Sequence, residues 1–152
     1  METEKSGAVH VTGVRVLAFG VFTSIVRRRE KSVAIADGIK DTAEDFKLLR
    51  QGARVEAAQG QGIGLRYVLT GAPKGAMVLV DVAVRHPQMV NPDTQMTMTR
   101  STAQFERTIG QVEHTVWSFD TPAGLVPGEY VIELHYEGRL LAHKAFWVTV
   151  KP

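Results

Sequence analysis

The stretch Val126–Val150, VPGEYVIELHYEGRLLAHKAFWVTV, decides the fold class. Its apolar residues fall at every second position, the period of a strand with one buried face. Tyr130, Ile132 and Leu134 line one side of a first strand; Phe146, Val148 and Val150 line one side of a second. Glu137-Gly138-Arg139 reads as the short loop between them, with a glycine able to take positive φ. Pro127-Gly128 is the turn that feeds the first strand. This is the closing hairpin of an antiparallel sandwich.

The same alternation recurs upstream. Met77 to Arg85 sets Val78, Val80, Val82 and Val84 on one face and Met77, Leu79, Asp81, Ala83 and Arg85 on the other, the pattern of a half-buried antiparallel strand. Ile63, Leu65, Tyr67 and Leu69 alternate likewise. Ala53–Ala58, Thr94–Thr102 and Gln111–Asp120 read as further strands, with turn chemistry at Gly71–Gly75 and Thr121–Gly124. Ala8–Val26 is strand-like, as two strands or one long bent strand, with Gly13 and Gly20 as bulge or bend points. Met1–Gly7 is polar and expected to fray. These segments predict an all-β chain: a single antiparallel immunoglobulin-like β-sandwich over residues 8–152, with about 7–9 strands. Arg27–Asp45 is charged and lacks a clean strand pattern. Asp41-Thr42-Ala43-Glu44 suits the cap of one short helix over 42–49, with Phe46 and Leu49 inward; a loop leading into a strand at Phe46–Arg50 is the alternative. The expected core is Leu65, Tyr67, Val80, Val82, Val84, Tyr130, Ile132, Leu134, Phe146 and Val148.

Bulk properties bound the function. A chain of 152 residues is long enough for one domain with a real core. A net charge of +2 does not mark a nucleic-acid partner. Arg27, Arg28, Arg29 and Lys31 form one basic knot, read as a solvated strand end and loop, or alternatively as a contact for an anion or acidic partner. The absence of cysteine excludes disulfides, thiolate metal sites and a cysteine nucleophile. Val14–Val26 is apolar but contains Arg15, is too short to span a bilayer as a helix and has its basic cluster after it, so neither a membrane span nor a signal peptide is expected. The compartment stays open: periplasmic or secreted if the chain is a mature form, otherwise cytoplasmic.

Motifs for specific chemistry are sparse. Gly60-Gln61-Gly62-Ile63-Gly64 lacks the Lys-Ser/Thr of a phosphate loop and leads into a strand, so it reads as a bulge or tight strand entry. No G-x-S-x-G elbow is present, and Asp81, Asp93, Glu113 and Asp120 are carboxylates that nothing in the sequence pairs. The segment His86–Asp93 is the most distinctive irregular one, gathering His86, Met89, Asn91 and Asp93 around Pro87 and Pro92; it reads as a binding loop or as a turn whose Asn and Asp are structural. With a three-residue hairpin loop, Glu133 and His143 become cross-strand neighbours with His135 along the same face, a set able to ligate a metal or to be a polar sheet face. Trp117 and Trp147 are expected as buried sandwich tryptophans, or as a sugar or peptide platform if both are exposed on one face. No cofactor is implied.

Gly62-Ile63-Gly64-Leu65-Arg66-Tyr67, Gly71-Ala72-Pro73-Lys74-Gly75 and Arg85-His86-Pro87-Gln88-Met89-Val90-Asn91-Pro92 follow one another at the spacings of an uncharacterised bacterial family known only as a domain of unknown function. Phe19-Gly20-Val21-Phe22 is similar to the start of that family's domain. Val126-Pro127-Gly128-Glu129-Tyr130, Gly138-Arg139-Leu140 and Phe146-Trp147-Val148 are similar to its end. The resemblance, over Val14–Val150, implies a compact β-sandwich and brings no catalytic residues. Many of its members look exported, whereas this chain shows no signal. The functional expectation is a non-catalytic binding or protein-interaction module of the bacterial envelope or cytoplasm, with a protein or envelope component as partner. The alternatives are a metal-dependent site or small hydrolase using histidines and carboxylates, and a module that forms homodimers or binds peptides through an edge strand.

Overall fold

The computed structural model describes residues 8–151; the expected fraying of Met1–Gly7 lies outside them. Nine strands and one turn of 3-10 helix follow in order. They are β1 (His10–Lys31), β2 (Ile39–Gln51), β3 (Arg54–Ala57), β4 (Gly62–Ala72) and β5 (Met77–Val90). After them come β6 (Thr97–Thr108), β7 (Val112–Ser118), the turn at Pro122–Gly124, β8 (Gly128–Tyr136) and β9 (Arg139–Val150). One sheet has the order β2-β1-β4-β7 and the other β3-β9-β8-β5-β6. Every pairing is antiparallel except that of β3 with β9 at a sheet edge.

Period-two burial holds where the sequence shows it. All ten residues expected in the core are buried, and one apolar cluster joins the inner faces of both sheets. Leu79, on the opposite face of β5 from Val80, is half exposed. The closing hairpin differs in detail from the expected three-residue loop. Its turn has two residues, Glu137 and Gly138, with φ of 48° and 79°, which is the primed geometry that suits the strand twist. A register shift between Leu134 and His135 then restores the pairing of Glu133 with His143. Turn and bulge together reach the register that the longer loop would have produced.

The expected helix at 42–49 is a strand. Beyond Phe22, β1 runs past the end of its pairing with β4, so its outer backbone groups need another partner. β2 supplies it, in register from Gly20↔Gln51 to Lys31↔Ile39. A bulge around Asp45 (φ 56°) adds one residue to β2. It places Ala43 and Phe46 on the same cleft wall at a spacing of three, which imitates a helical face. β1 also continues through the basic knot, and the knot is paired locally: Arg27 bonds Glu44, Arg29 lies 3.2 Å from Asp41, and Lys31 lies 3.6 Å from Asp93. These mostly exposed pairs neutralise a charged hairpin and add little stability.

Gly62 and Gly64 are explained by close approach. A Cβ on Gly64 would stand 2.3 Å from the Thr115 carbonyl oxygen, and one on Gly62 would stand 2.5 Å from Val116 Cγ1. The glycine run lets β4 lie tightly against β7, and it opens a strand, not a helix N-terminus.

Leu134→Ala is expected to lower unfolding stability by about 2–5 kcal/mol in urea titration, whereas Leu79→Ala should change it by only about 0.5 kcal/mol. Equal effects would contradict the register of β8 and β5.

Candidate functional site

The long hairpin of β1 and β2 overhangs one side of the sandwich, where β6 and β7 end their respective sheets. Its tip is fastened to β6: Ala36 N–H donates to Ser101 Oγ at 2.8 Å, and Thr102 N–H donates to Ala34 O at 2.8 Å. Its far side reaches β7, where Phe46 stacks on His114 with centroids 4.6 Å apart. Between hairpin and sheets lies a cleft of about 130 Å³. Val82, Val84, Phe105 and Trp117 supply apolar wall from the sheets; Ala43 and Phe46 supply it from the hairpin.

The residues expected to form a binding loop mostly hold this hairpin in place. β5 extends through Val90, so only Asn91–Met96 is irregular. His86 is buried; its Nδ1 lies 2.8 Å from Pro87 O and its Nε2 lies 2.8 Å from Ser101 Oγ. Because a carbonyl only accepts, Nδ1 carries the proton and Nε2 accepts from the Ser101 hydroxyl. Ser101 Oγ in turn accepts from Ala36, so the relay is complete. Burial holds the His86 imidazolium below the ordinary histidine range, against the opposing pull of the Pro87 carbonyl. The ring also stacks on Trp117 at 5.1 Å, linking the two sheets. Asn91 is fully buried, donates to Ile35 O at 2.8 Å, and accepts from the Asp93 and Thr94 amides at 2.8 and 3.0 Å. Met89 is half-buried against the core, and Asp93 is exposed beside Lys31. His86 and Asn91 therefore face inward as structural groups, and the four residues do not converge on one surface.

One end of the cleft carries three carboxylates, Asp37, Asp41 and Asp120. Asp120 lies close enough to Asp41 to hydrogen-bond its protonated form and to oppose its ionisation as a like charge. Burial, followed by that bond and the Asp120 charge, pushes Asp41 up to about 7; the Arg29 guanidinium opposes this and is outweighed. Arg29 is itself more than half exposed, so solvent screens it. Its Nε lies 3.2 Å from Asp41 Oδ1, yet this buried oxygen has no aligned hydrogen-bond donor. Burial raises Asp37 as well, although the Ile39 amide donates to it at 3.0 Å. At the opposite end, Lys40 Nζ donates to Gln104 O at 2.6 Å and lies 4.7 Å from the Phe105 ring centroid. Arg107 donates to Tyr67 Oη at 2.8 Å and to His114 O at 2.9 Å, bridging β6 to β7. His114 Nε2 accepts from Arg66 Nε at 2.9 Å; burial and then the charges of Arg66 and Arg107 push it down to about 4.

Glu133, His135 and His143 lie along β8 and β9, with Glu133 directly opposite His143. His135 Nε2 stands 3.0 Å from Glu133 Oε1, and Arg85 Nε stands 3.2 Å from Oε2. Burial favours protonation of Glu133; the His135 bond and the Arg85 charge overcome it and hold the carboxyl below its usual range. Both carboxylate oxygens are thus engaged, and the described residues contain no group of three or more His, Cys, Asp or Glu side chains placed to ligate one ion. Trp147 is half exposed on β9 and Trp117 faces the cleft, so the two do not form a platform. The cleft carboxylates come from two distant segments. Asp120 stood out in the sequence only as an unpaired acid and Asp41 only as a helix cap, and Asp37 carried no signal.

Ser101→Ala should cost about 1–3 kcal/mol of stability, since it strands the His86 acceptor and the Ala36 amide. For Asp41 the folded pKa is raised, so its stabilising contribution is present below pH 3.8 and is lost as pH rises through about 7. Asp41→Asn removes that loss. The urea midpoint of the variant minus that of the wild type should therefore increase from pH 4 to pH 8; a constant difference would contradict the raised Asp41 pKa.

An immunoglobulin-like protein from Pseudomonas aeruginosa, solved as a crystal structure, superimposes with a TM-score of 0.63 at 22% identity, covering 95% of this chain and 98% of that one. The likeness extends to the fold. The alkylpurine DNA glycosylase AlkC of Pseudomonas fluorescens, solved on DNA containing an abasic site analog, is a weaker match, with a TM-score of 0.41 and 19% identity over 63% of this chain and 27% of that one. Comparison with curated proteins yields no match. No helix among the described residues is long and apolar enough to cross a membrane. A model of the family described as domain of unknown function DUF3859 matches residues 10–148, and the chain belongs to that family.

Proposed function

We propose that this domain is a non-catalytic interaction module that receives a side chain of a partner protein in the cleft beneath the β1–β2 hairpin. The single observation that carries this reading is the cleft itself: an apolar, aromatic-walled recess of about 130 Å³, held open by hydrogen bonds at the hairpin tip. A stiff sheet pair with an adjacent hairpin is a scaffold on which binding surfaces commonly sit. The histidines weigh against acid–base chemistry at the cleft, because His86 has both ring nitrogens satisfied and His114 accepts from an arginine. Neither is poised to exchange a proton near neutral pH.

The size of the cleft suits one side chain and not a folded surface. A cavity of roughly 150 Å³ is known to accept benzene, so a recess of this volume holds a group of about six heavy atoms. The partner's remaining contacts would fall on the hairpin and the exposed edges of β6 and β7.

A random-peptide display selection against the whole chain tests this reading. Peptides enriched by the wild type should be lost on Ala103→Trp, which fills the recess from the β6 wall, provided the variant keeps the wild-type unfolding free energy in urea within about 1 kcal/mol. Failure to enrich any sequence, or equal retention by a folded Ala103→Trp variant, would overturn it.

A further inference from the structure

We infer that the side chain received by the cleft is a lysine of the partner protein, its methylene stem against the aromatic walls and its ammonium among Asp37, Asp41 and Asp120. This rests on the interaction-module reading above and specifies its partner.

Charge complementarity selects the occupant. The surface of the recess is mostly apolar, and the end beside Asp37, Asp41 and Asp120 is acidic. A neutral apolar group would fill the walls and leave the three carboxylates with Arg29, more than half in solvent, as their counter-charge. An anionic group would meet three carboxylates. A cation on an apolar stem satisfies both parts, since a lysine buries its methylenes along apolar surface while its ammonium finds polar partners. The volume of about 130 Å³ accommodates a butylammonium-sized group. Asp41 Oδ1, buried and without an aligned donor, is an acceptor waiting for one. Lys40 already uses the other end of the recess in this manner, with its ammonium over Phe105 and on the Gln104 carbonyl.

The cations already present do not serve the acidic end. Lys40 and Arg107 are committed to carbonyl and hydroxyl oxygens at the Phe105 end. Arg29 is the exception, close to Asp41 but more than half in solvent. The charged groups facing Asp41 and Asp120 are therefore Arg29 from β1 and Asp37 from the hairpin tip, while Lys40 from β2 and Arg107 from β6 line the cleft farther along. An entering ammonium replaces the proton that Asp41 holds in the free protein below about pH 7. Binding accordingly releases a proton to solvent at pH values below about 7, and affinity rises with pH until Asp41 is ionised.

Four probes test this on the full chain, read by NMR at the Trp117 indole and the Val82 and Val84 methyl groups. They are Nα-acetyl-lysine-N-methylamide, its uncharged analogue Nα-acetyl-norleucine-N-methylamide, n-butylammonium chloride, and a lysine-containing decapeptide. The lysine amide and the decapeptide should shift these signals. The norleucine amide should bind at least about tenfold more weakly, and Asp41→Asn should weaken lysine binding by about tenfold. Lysine affinity should climb between pH 5 and pH 8 in the wild type and stay flat in Asp41→Asn. Calorimetry in two buffers of different ionisation enthalpy should register proton release at pH 6.

Equal binding of the norleucine and lysine amides would overturn the inference while leaving the interaction module standing. Binding of butylammonium without the lysine amide or decapeptide would also overturn it, by assigning the recess to a free amine. No binding by any probe, with displayed peptides still captured, would sink the lysine assignment alone. Failure of the display selection would remove the reading beneath it.

Discussion

The structure depends on β1 having two partners. Its 22 residues are more than the opposing strand β4 can pair. At about 3.3 Å per residue such a strand would extend roughly 70 Å if straight, so it must bend and overshoot. The inner half is held by β4 and the outer half by β2, with register shifts at several points to turn it. An unpaired outer half would expose a row of backbone donors and acceptors. β2 pairs with that half, and the resulting hairpin hangs over the open side between β6 and β7. The cleft exists because of this overshoot.

An overhanging hairpin is a lever, and its charged strands provide little apolar adhesion. The protein fixes it with polar struts instead. The Ala36–Ser101–His86 relay and the Asn91 bonds to the hairpin tip each satisfy buried groups completely. A fully satisfied network specifies one geometry, whereas a partly satisfied one is costly. His86, Asn91 and Ser101 belong to residue types associated with binding or catalysis, but here those capacities are used internally. Arg107 plays a related part on the other flank, tying β6 to β7 through Tyr67 and the His114 carbonyl.

Among the described residues two buried side-chain oxygens lack an aligned donor, Gln61 Oε1 and Asp41 Oδ1, and the second borders the recess. Burial and the neighbouring Asp120 push Asp41 up to about 7, and it keeps a buried oxygen without an aligned donor, next to the apolar recess. Polar dissatisfaction of this kind is costly in a structural role. Its position at the mouth of the recess is what gives the site its acidic character, and the Glu133 carboxylate on the outer face of β8 is a contrast: it is equally close to a histidine and an arginine, and it is engaged at both oxygens.

The alternation of apolar and polar residues by itself determined the sandwich, its core and the register of its last hairpin. Val80, Val82, Val84, Tyr130, Ile132 and Leu134 are buried as their spacing requires, because a strand has a period of two and one wet face. Glu133 opposite His143 was legible for the same reason, although a two-residue turn and a bulge produced it. Tertiary structure decided between the helix over 42–49 and the alternative strand at Phe46–Arg50 in favour of β2, where the Asp45 bulge broke the period and made Ala43 and Phe46 look helical. It also decided whether His86 and Asn91 faced a ligand or the chain, since residue type does not carry direction. Above all it decided the cleft: Asp37 and Asp41 meet Asp120 only because β1 outruns β4 and folds its excess back across the sandwich, a contact between distant segments that no local pattern encodes.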